Sequence, residues 1–231
     1  MDIEIIAFDV FGTLVDWRTS IIAELARVGD RAGIRADWAA VADGWRERYQ
    51  PALNRVIAGD LEFQSLDALH AITLDEVAAE HGLDGLGLAD RAELVRGWHR
   101  LAPWPDSAPG LVALRERFIL TSLSNGGMGL LTRLARAADL RFDCILSAEL
   151  AGTYKPDPRV YQLVPRYFDV PADRVMMVAC HPYDLDAARR AGLRAGYVPR
   201  PREWGPDATA PASPASADVV AADLVTLAGL L

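Results

Sequence analysis

Cysteine is scarce in this chain: Cys144 and Cys180 are the only two among 231 residues. Both stand in apolar, strand-like surroundings and read as reduced, buried thiols rather than a disulfide, the state expected of a cytoplasmic protein. The four histidines, His70, His81, His99 and His181, show no metal-ligand spacing with either cysteine, so no metal is expected. No apolar run is long enough to span a bilayer, and no basic segment followed by a long apolar one opens the chain, so neither a membrane span nor a signal peptide is expected. Positive charge is also in short supply. The 24 basic side chains face 32 acidic ones, a net charge of −8, which gives no support to nucleic-acid or anionic-membrane binding. A small anionic substrate needs a local basic pocket here, because the global field opposes it.

What is present is a globular composition, 51% hydrophobic, and enough length for a large core and one domain plus an insert. Near the N-terminus Asp9 sits within the run Ile-Ile-Ala-Phe-Asp-Val-Phe-Gly-Thr, Ile5 to Thr13. Ile, Val and Phe in such density predict a buried parallel strand, and Gly12-Thr13 breaks it. In open α/β sheets chemistry collects at the carboxyl ends of strands, so an Asp there is placed to act as a nucleophile. The plainer alternative is an Asp that caps the following turn.

After Asp9 the pattern is helical for almost ninety residues. Ile21, Ile22, Leu25 and Val28 share one helical spacing, and Trp38, Val41, Trp45 and Tyr49 another; Asp67 to His81 and Ala89 to His99 read as two more amphipathic segments. Pro51 is expected to kink or end the second helix. From about Pro103 apolar strands alternate with helices. The strands are Phe118 to Leu123, Phe142 to Leu146, Val175 to Ala179 and Ala195 to Val198. The helices are Leu111 to Arg117, Met128 to Ala138, Arg159 to Phe168 and Asp184 to Ala191. A Pro-, Ala- and Ser-rich loop (Asp207 to Ser216), a short strand (Asp218 to Ala221) and a helix (Leu224 to Leu230) close the chain. The expectation is an α/β fold: a Rossmann-like parallel sheet core from residues 1–15 and 104–231, and an inserted helical cap domain from residues 16–103. The cap would lie over the sheet end that carries Asp9, where it can exclude water and contact substrate.

Further groups follow later strands: Ser124-Asn125-Gly126-Gly127, Lys155 within Tyr-Lys-Pro-Asp-Pro, and His181-Pro182-Tyr183-Asp184. Each has a plain structural reading, as turn and helix N-cap, solvated lysine, or first-turn carboxylate on a helix dipole. Their recurrence in order at strand ends of a parallel sheet makes them converge on Asp9.

Phe-Asp-Val-Phe-Gly-Thr, Leu-Ser-Asn-Gly, Tyr-Lys-Pro-Asp-Pro and Asp184 followed by Ala-Ala-Arg-Arg-Ala-Gly resemble, in that order, the haloacid dehalogenase superfamily. Most of that superfamily are magnesium-dependent phosphatases with Asp-x-Asp in the first motif, the second Asp acting as general acid. Here that position is Phe11, which transfers no proton. The acidic metal ligand expected before the last Asp is replaced by Cys180, and a thiol is a poor ligand for magnesium. Both features resemble the 2-haloacid dehalogenase branch, which uses no cofactor. Gly44-Trp45-Arg46 is similar to the cap segment that carries its active-site Arg, and Arg100-Leu101-Ala102-Pro103 to its junction with the core. Without the resemblance, Arg46 reads as a solvated charge on an amphipathic helix.

The resemblance implies that Asp9 attacks the halogen-bearing carbon of a short 2-haloacid, and that water then hydrolyses the ester and releases the 2-hydroxyacid. Lys155 would keep Asp9 ionised. Ser124 and backbone N–H groups would take the substrate carboxylate, and Arg46, Asn125 and the edge of Tyr183 the halide. Asp184 would activate water, supported by Thr13 and Lys155, with Tyr161 orienting neighbours; Phe11 and Phe63 would form an apolar wall. His181 stands where the branch commonly has Asn; it would hydrogen-bond the water or Asp184, or donate to halide. Asp16-Trp17-Arg18, Ala102 to Asp106 and Arg200 to Gly205 look like a subgroup with fluoroacetate-active members, for which Arg18 and His181 would be extra donors. Exposed apolar cap residues leave a homodimer open. The competing readings are a magnesium-dependent phosphatase of the same superfamily and a non-catalytic protein that binds small acids.

Overall fold

In the computed structural model, which describes residues 2–231, the run around Ile5 forms strand β1 (Ile5–Phe8) with all four side chains fully buried. The chain then passes through β2 (Val15–Asp16) into helices α1 (Trp17–Ala32), α2 (Trp38–Glu47), α3 (Tyr49–Ala58), α4 (Leu66–Glu80) and α5 (Leu88–Gly97), and returns through β3 (Ala102–Pro103). There follow α6 (Ser107–Arg115), β4 (Ile119–Ser124), α7 (Met128–Ala137), β5 (Cys144–Ser147), α8 (Pro158–Tyr161) and α9 (Leu163–Phe168). Then come β6 (Val175–Ala179), α10 (Pro182–Arg190), β7 (Arg194–Tyr197), β8 (Val219–Val220) and α11 (Leu224–Leu230).

Six strands make one sheet in the order β5-β4-β1-β6-β7-β8, with every neighbouring pair parallel. This is the α/β, Rossmann-like arrangement expected. Phe8 at the end of β1 is level with Ser122 on β4 and Val178 on β6. The strand order reverses beside β1, since the chain builds β4 and β5 on one side and then crosses to β6 on the other. Ligands collect at such a switch point because the loops of both halves diverge there. Asp9 leaves the sheet in that crevice, its N–H still donating to the Val178 carbonyl at 3.0 Å.

The helices α1–α5 are joined to the sheet by two chain crossings, and these pair as a short antiparallel ribbon: Val15 faces Pro103 and Asp16 faces Ala102. Asp16 caps α1 by accepting the Thr19 N–H at 3.0 Å, and Trp17, Ile21, Leu25 and Val28 form its buried stripe. Among the described residues no helix is long and apolar enough to cross a membrane.

Pro51 ends the second helix as expected: α2 stops at Glu47, whose carbonyl the missing Pro51 N–H would have paired, and Pro51 then sits in the first turn of α3. One local expectation needs correction: the helix expected from Arg159 to Phe168 is broken in the same way at Gln162 into α8 and α9. Pro165 cannot donate to the Tyr161 carbonyl, so the ladder is interrupted there.

Candidate active site

The loop after β1 bends back sharply. Gly12 has φ of +84°, and a Cβ built on it would lie 2.2 Å from Glu203 Oε1, so both backbone conformation and close approach require glycine. Trp104 Nε1 donates to the Gly12 carbonyl at 2.8 Å, and Arg200 Nε donates to the Thr13 carbonyl at 2.8 Å. Arg200 is itself fixed by a two-pronged ion pair with Asp106 at 2.7 and 2.9 Å.

This holds the Asp9 carboxylate, 8% exposed, between three side chains. Thr13 Oγ1 donates to Oδ2 at 2.8 Å, Lys155 Nζ to Oδ1 at 3.4 Å, and His181 Nδ1 lies 3.1 Å from Oδ2. Lys155 also donates to Asp184 Oδ2 at 2.7 Å, and the Tyr161 hydroxyl donates to Asp184 Oδ1 at 2.6 Å. The two carboxylates are driven apart in acidity. Burial alone would raise Asp9, but Lys155, His181 and Thr13 outweigh it and hold the group far below the usual carboxylate range. Asp184 is raised, by burial first and then by the charge on Asp9, against the pull of Lys155 and Tyr161. Burial would lower the Lys155 ammonium, yet Asp184 and Asp9 together raise it. Asp9 is therefore an ionised carboxylate beside a charged lysine.

His181 is a bridge. Its Nε2 lies 3.0 Å from Glu203 Oε1, and Glu203 also accepts from Trp17 Nε1 at 3.2 Å. Ionised carboxylates on both sides accept only, so both ring nitrogens carry protons in this arrangement. Burial alone would lower the imidazole, but Cys180, Tyr183 and the hydrogen bond to Asp9 raise it well above its ordinary value. Glu203, 4% exposed, is raised by burial but lowered overall, chiefly by His181.

A cavity of about 310 Å³ opens beside His181, lined by Arg46, Glu47, Tyr49, Gln50, Tyr183 and Trp204. The Arg46 guanidinium stacks over Tyr49 at 4.2 Å and Trp17 at 5.3 Å; it is buried, and its Nη1 has no hydrogen-bond partner in the protein. A cation in that state is ready for an anion. Asn125 connects the two sides: its Nδ2 donates to the Tyr49 hydroxyl at 3.0 Å, and its Oδ1 accepts the Lys155 N–H at 2.8 Å. Ser124 is fully buried, its Oγ accepting the Gly126 N–H at 3.3 Å. Phe11 is buried edge-on against Trp98, with ring centroids 5.9 Å apart, and Trp98 stacks on His70 at 4.3 Å. Burial, then the charge of Arg46, lowers His70 well below its ordinary value and keeps it a neutral member of this aromatic wall.

Most of the expected residues thus meet around Asp9: Thr13, Lys155, His181, Asp184 and Tyr161 in a connected network, with Asn125, Arg46 and Tyr183 reaching it from its edges. Tyr183 is exposed and stacks on His181 at 5.5 Å. Arg18 does not join them. It forms a two-pronged pair with Asp43 at 2.7 and 2.8 Å and lies against Gly205, so its Nε and Nη2 hold α1 to α2. Phe63 packs on Tyr154 at 5.3 Å, one position from Lys155, and no contact places it on Asp9 itself. The sequence reading missed Glu203, Tyr49 and Trp17. Glu203 lies in the Arg-Pro-Arg-Glu-Trp-Gly segment already singled out, but nothing local marks its acid as the partner of His181.

The chain belongs to the haloacid dehalogenase-like hydrolase family, whose description it matches over residues 3–192. Within that class it is similar to the (S)-2-haloacid dehalogenase 4A of Burkholderia cepacia, at 30% identity over 84% of this chain and 81% of the relative. Among solved structures it is similar to the defluorinating L-2-haloacid dehalogenase Rha0230, with a TM-score of 0.96 and 40% identity, covering 99% of this chain and 95% of that one. The L-2-haloacid dehalogenase PA0810 is similar too, with a TM-score of 0.92 and 41% identity over 99% of both chains.

Proposed function

We propose that the protein hydrolyses the carbon–halogen bond of short 2-haloacids, haloacetates and (S)-2-halopropionates included, through an ester on Asp9, with residues 16–103 acting as the cap. The observation that carries this reading is a buried, ionised Asp9 linked through His181 to a small cavity lined by Arg46, whose buried guanidinium keeps an unpaired Nη1. An Oδ atom of Asp9 displaces halide from the carbon in line, inverting it, and the halide leaves toward Arg46 and Asn125. Serine, backbone N–H groups and the aromatic wall hold the remainder of a small acid. Phe11 offers no proton to a leaving oxygen, as phosphate ester hydrolysis needs. Magnesium also fits poorly, because the ligand position offers the Cys180 thiol where a hard cation wants oxygen.

The second step is assigned differently from the expectation that Asp184 activates water. Both Asp184 oxygens are occupied, by Lys155 and Tyr161, and the residue is 1% exposed. His181 and Glu203 are better placed, since His181 lies against Asp9 and on the cavity wall. Esterification removes the charge on Asp9, so the imidazolium loses one of its two carboxylate partners and sheds a proton to solvent. Neutral His181, held by Glu203, then takes a proton from water as the oxygen attacks the Asp9 carbonyl carbon. The hydroxyacid leaves and Asp9 is ionised again. In sum, one water and one haloacid give one hydroxyacid, one halide and one proton.

The test is halide release from chloroacetate, fluoroacetate and the two enantiomers of 2-chloropropionate, with chelator present. Release from the haloacetates and the (S) enantiomer, unaffected by chelator, is expected; fluoroacetate turnover is the finer claim of the Rha0230-like reading. No halide from any of them, together with magnesium-dependent phosphate release from an aryl phosphate, overturns the proposal. Ligand-induced stabilisation without turnover would instead mark a binding protein.

A second expectation separates the two steps. Glu203→Gln is expected to slow ester hydrolysis by about 10²- to 10⁴-fold, the usual range for losing acid–base assistance. Alkylation should be spared, so one equivalent of halide appears in a burst and the ester shows as added mass on the intact protein. Slow halide release with no burst would place Glu203 in the first step instead.

A further inference from the structure

We propose that Cys180, His181 and Glu203 form a binding site for a borderline-soft divalent cation of the zinc type, and that the occupied site is an inhibited enzyme. The inhibition rests on the proposed dehalogenase reading; the cation site does not. The sequence shows no metal spacing here, because Glu203 is brought to the pair by the turn after β7 and not by any local motif.

The geometry is close to what such an ion requires. Cys180 Sγ, a His181 nitrogen and a Glu203 oxygen lie within 4.8 Å of one another. Glu203 Oε2 is 3.7 Å from Cys180 Sγ and 3.2 Å from His181 Nε2. Bonds of about 2.0–2.3 Å in tetrahedral array put neighbouring ligand atoms about 3.4–3.6 Å apart, so the two spacings to Glu203 need to change by less than about half an ångström. Thiolate, imidazole and carboxylate together suit zinc and not magnesium or calcium. His181 is already oriented as a ligand: Asp9 holds Nδ1 at 3.1 Å and leaves Nε2 turned toward Glu203. A carboxylate behind the imidazole is the usual outer partner of a metal-bound histidine. His181 also lines the cavity, which gives the ion a way in and leaves its fourth position to water or a substrate carboxylate.

Binding releases the protons on His181 Nε2 and Cys180 Sγ to solvent and makes two bonds to the ion. Nothing is oxidised or reduced. The Nε2 that links His181 to Glu203 is then committed to the metal, and the pair is lost as the base for ester hydrolysis.

The experiment uses cobalt(II) as a spectroscopic probe and zinc as the inhibitor, on the whole protein and on the Cys180→Ser and Cys144→Ser variants. Cobalt is expected to give a near-ultraviolet thiolate-to-metal band in the parent protein and in Cys144→Ser, and none in Cys180→Ser. Zinc is expected to lower halide release at least about tenfold, reversibly with chelator. In Cys180→Ser, halide release without zinc should persist and zinc affinity should fall by at least about tenfold. Absence of the band in the parent protein, or its loss with Cys144 instead of Cys180, overturns the site. Undiminished halide release from a zinc-loaded parent overturns the inhibition. A Cys180-dependent band in a protein that releases no halide under any condition supports the site and overturns the dehalogenase reading. Should Cys180→Ser fail to fold, Cys180→Ala serves the same comparison.

Discussion

Asp9→Asn is expected to lower halide release by at least about 10⁴-fold, the scale seen when a nucleophile is removed from a preorganised site, while the protein keeps its fold. The two halves of this expectation have separate causes. An amide has no ionised oxygen to displace halide, so the ester cannot form. The neighbours, however, are not orphaned. Lys155 keeps Asp184 at 2.7 Å, His181 keeps Glu203 at 3.0 Å, and Thr13 Oγ1 keeps its contact with Cys180. A stability change within about 1–2 kcal/mol follows, because no buried charge is left unpaired. The measurement pairs steady-state halide release with denaturant unfolding. A single turnover of the parent enzyme in ¹⁸O-water completes it: the first hydroxyacid released should carry the unlabelled Asp9 oxygen. Label from solvent in that first product, or a variant within tenfold of the parent, would sink the covalent role of Asp9.

Lys155→Met is expected to remove activity to a similar degree and, unlike the Asp9 change, to destabilise the protein by about 3–5 kcal/mol, the cost of leaving buried charges without a partner. Lys155 is 3% exposed and bridges both buried carboxylates. Without it Asp9 retains His181, but Asp184 retains only the Tyr161 hydroxyl. Asp184 already has a folded-state pKa raised above its unfolded value, and losing the ammonium raises it further. The folded variant therefore binds a proton more tightly than the unfolded chain does. Stability should fall as pH rises through that raised value and be greatest on the acid side. Adding Asp184→Asn should restore much of the stability and flatten this dependence, with no return of halide release. Unfolding curves that match the parent at mildly alkaline pH would show that the lysine is not the counter-ion the geometry makes it.

How much of this was legible beforehand differs from residue to residue. The strand at Ile5–Phe8 was readable because a strand buried on both faces is apolar throughout, and that is a local property. The order of Asp9, Ser124, Lys155 and Asp184 after successive strands was readable for the same reason, once a parallel sheet turns all strand ends one way. The substitutions Phe11 and Cys180 spoke against magnesium-dependent phosphoryl transfer from side-chain chemistry alone. Proline was legible at Pro51, whose missing N–H ends α2 at Glu47, and overlooked at Pro165, which breaks the helix expected at Arg159–Phe168 in the same way.

The sequence by itself determined the sheet, the helical insertion after its first strand and the choice of Asp9 as the proposed nucleophile, since each is written in local patterning or in the chemistry of a single side chain. Only the tertiary structure decided where the charged partners went. Arg18 is taken by Asp43 across two helices, Arg46 is left with an unpaired N–H above Tyr49, and Glu203 folds back over Gly12 to meet His181. A charged side chain pairs with whatever the fold brings within about 4 Å of it, and that distance is set by distant turns, not by its neighbours in the chain.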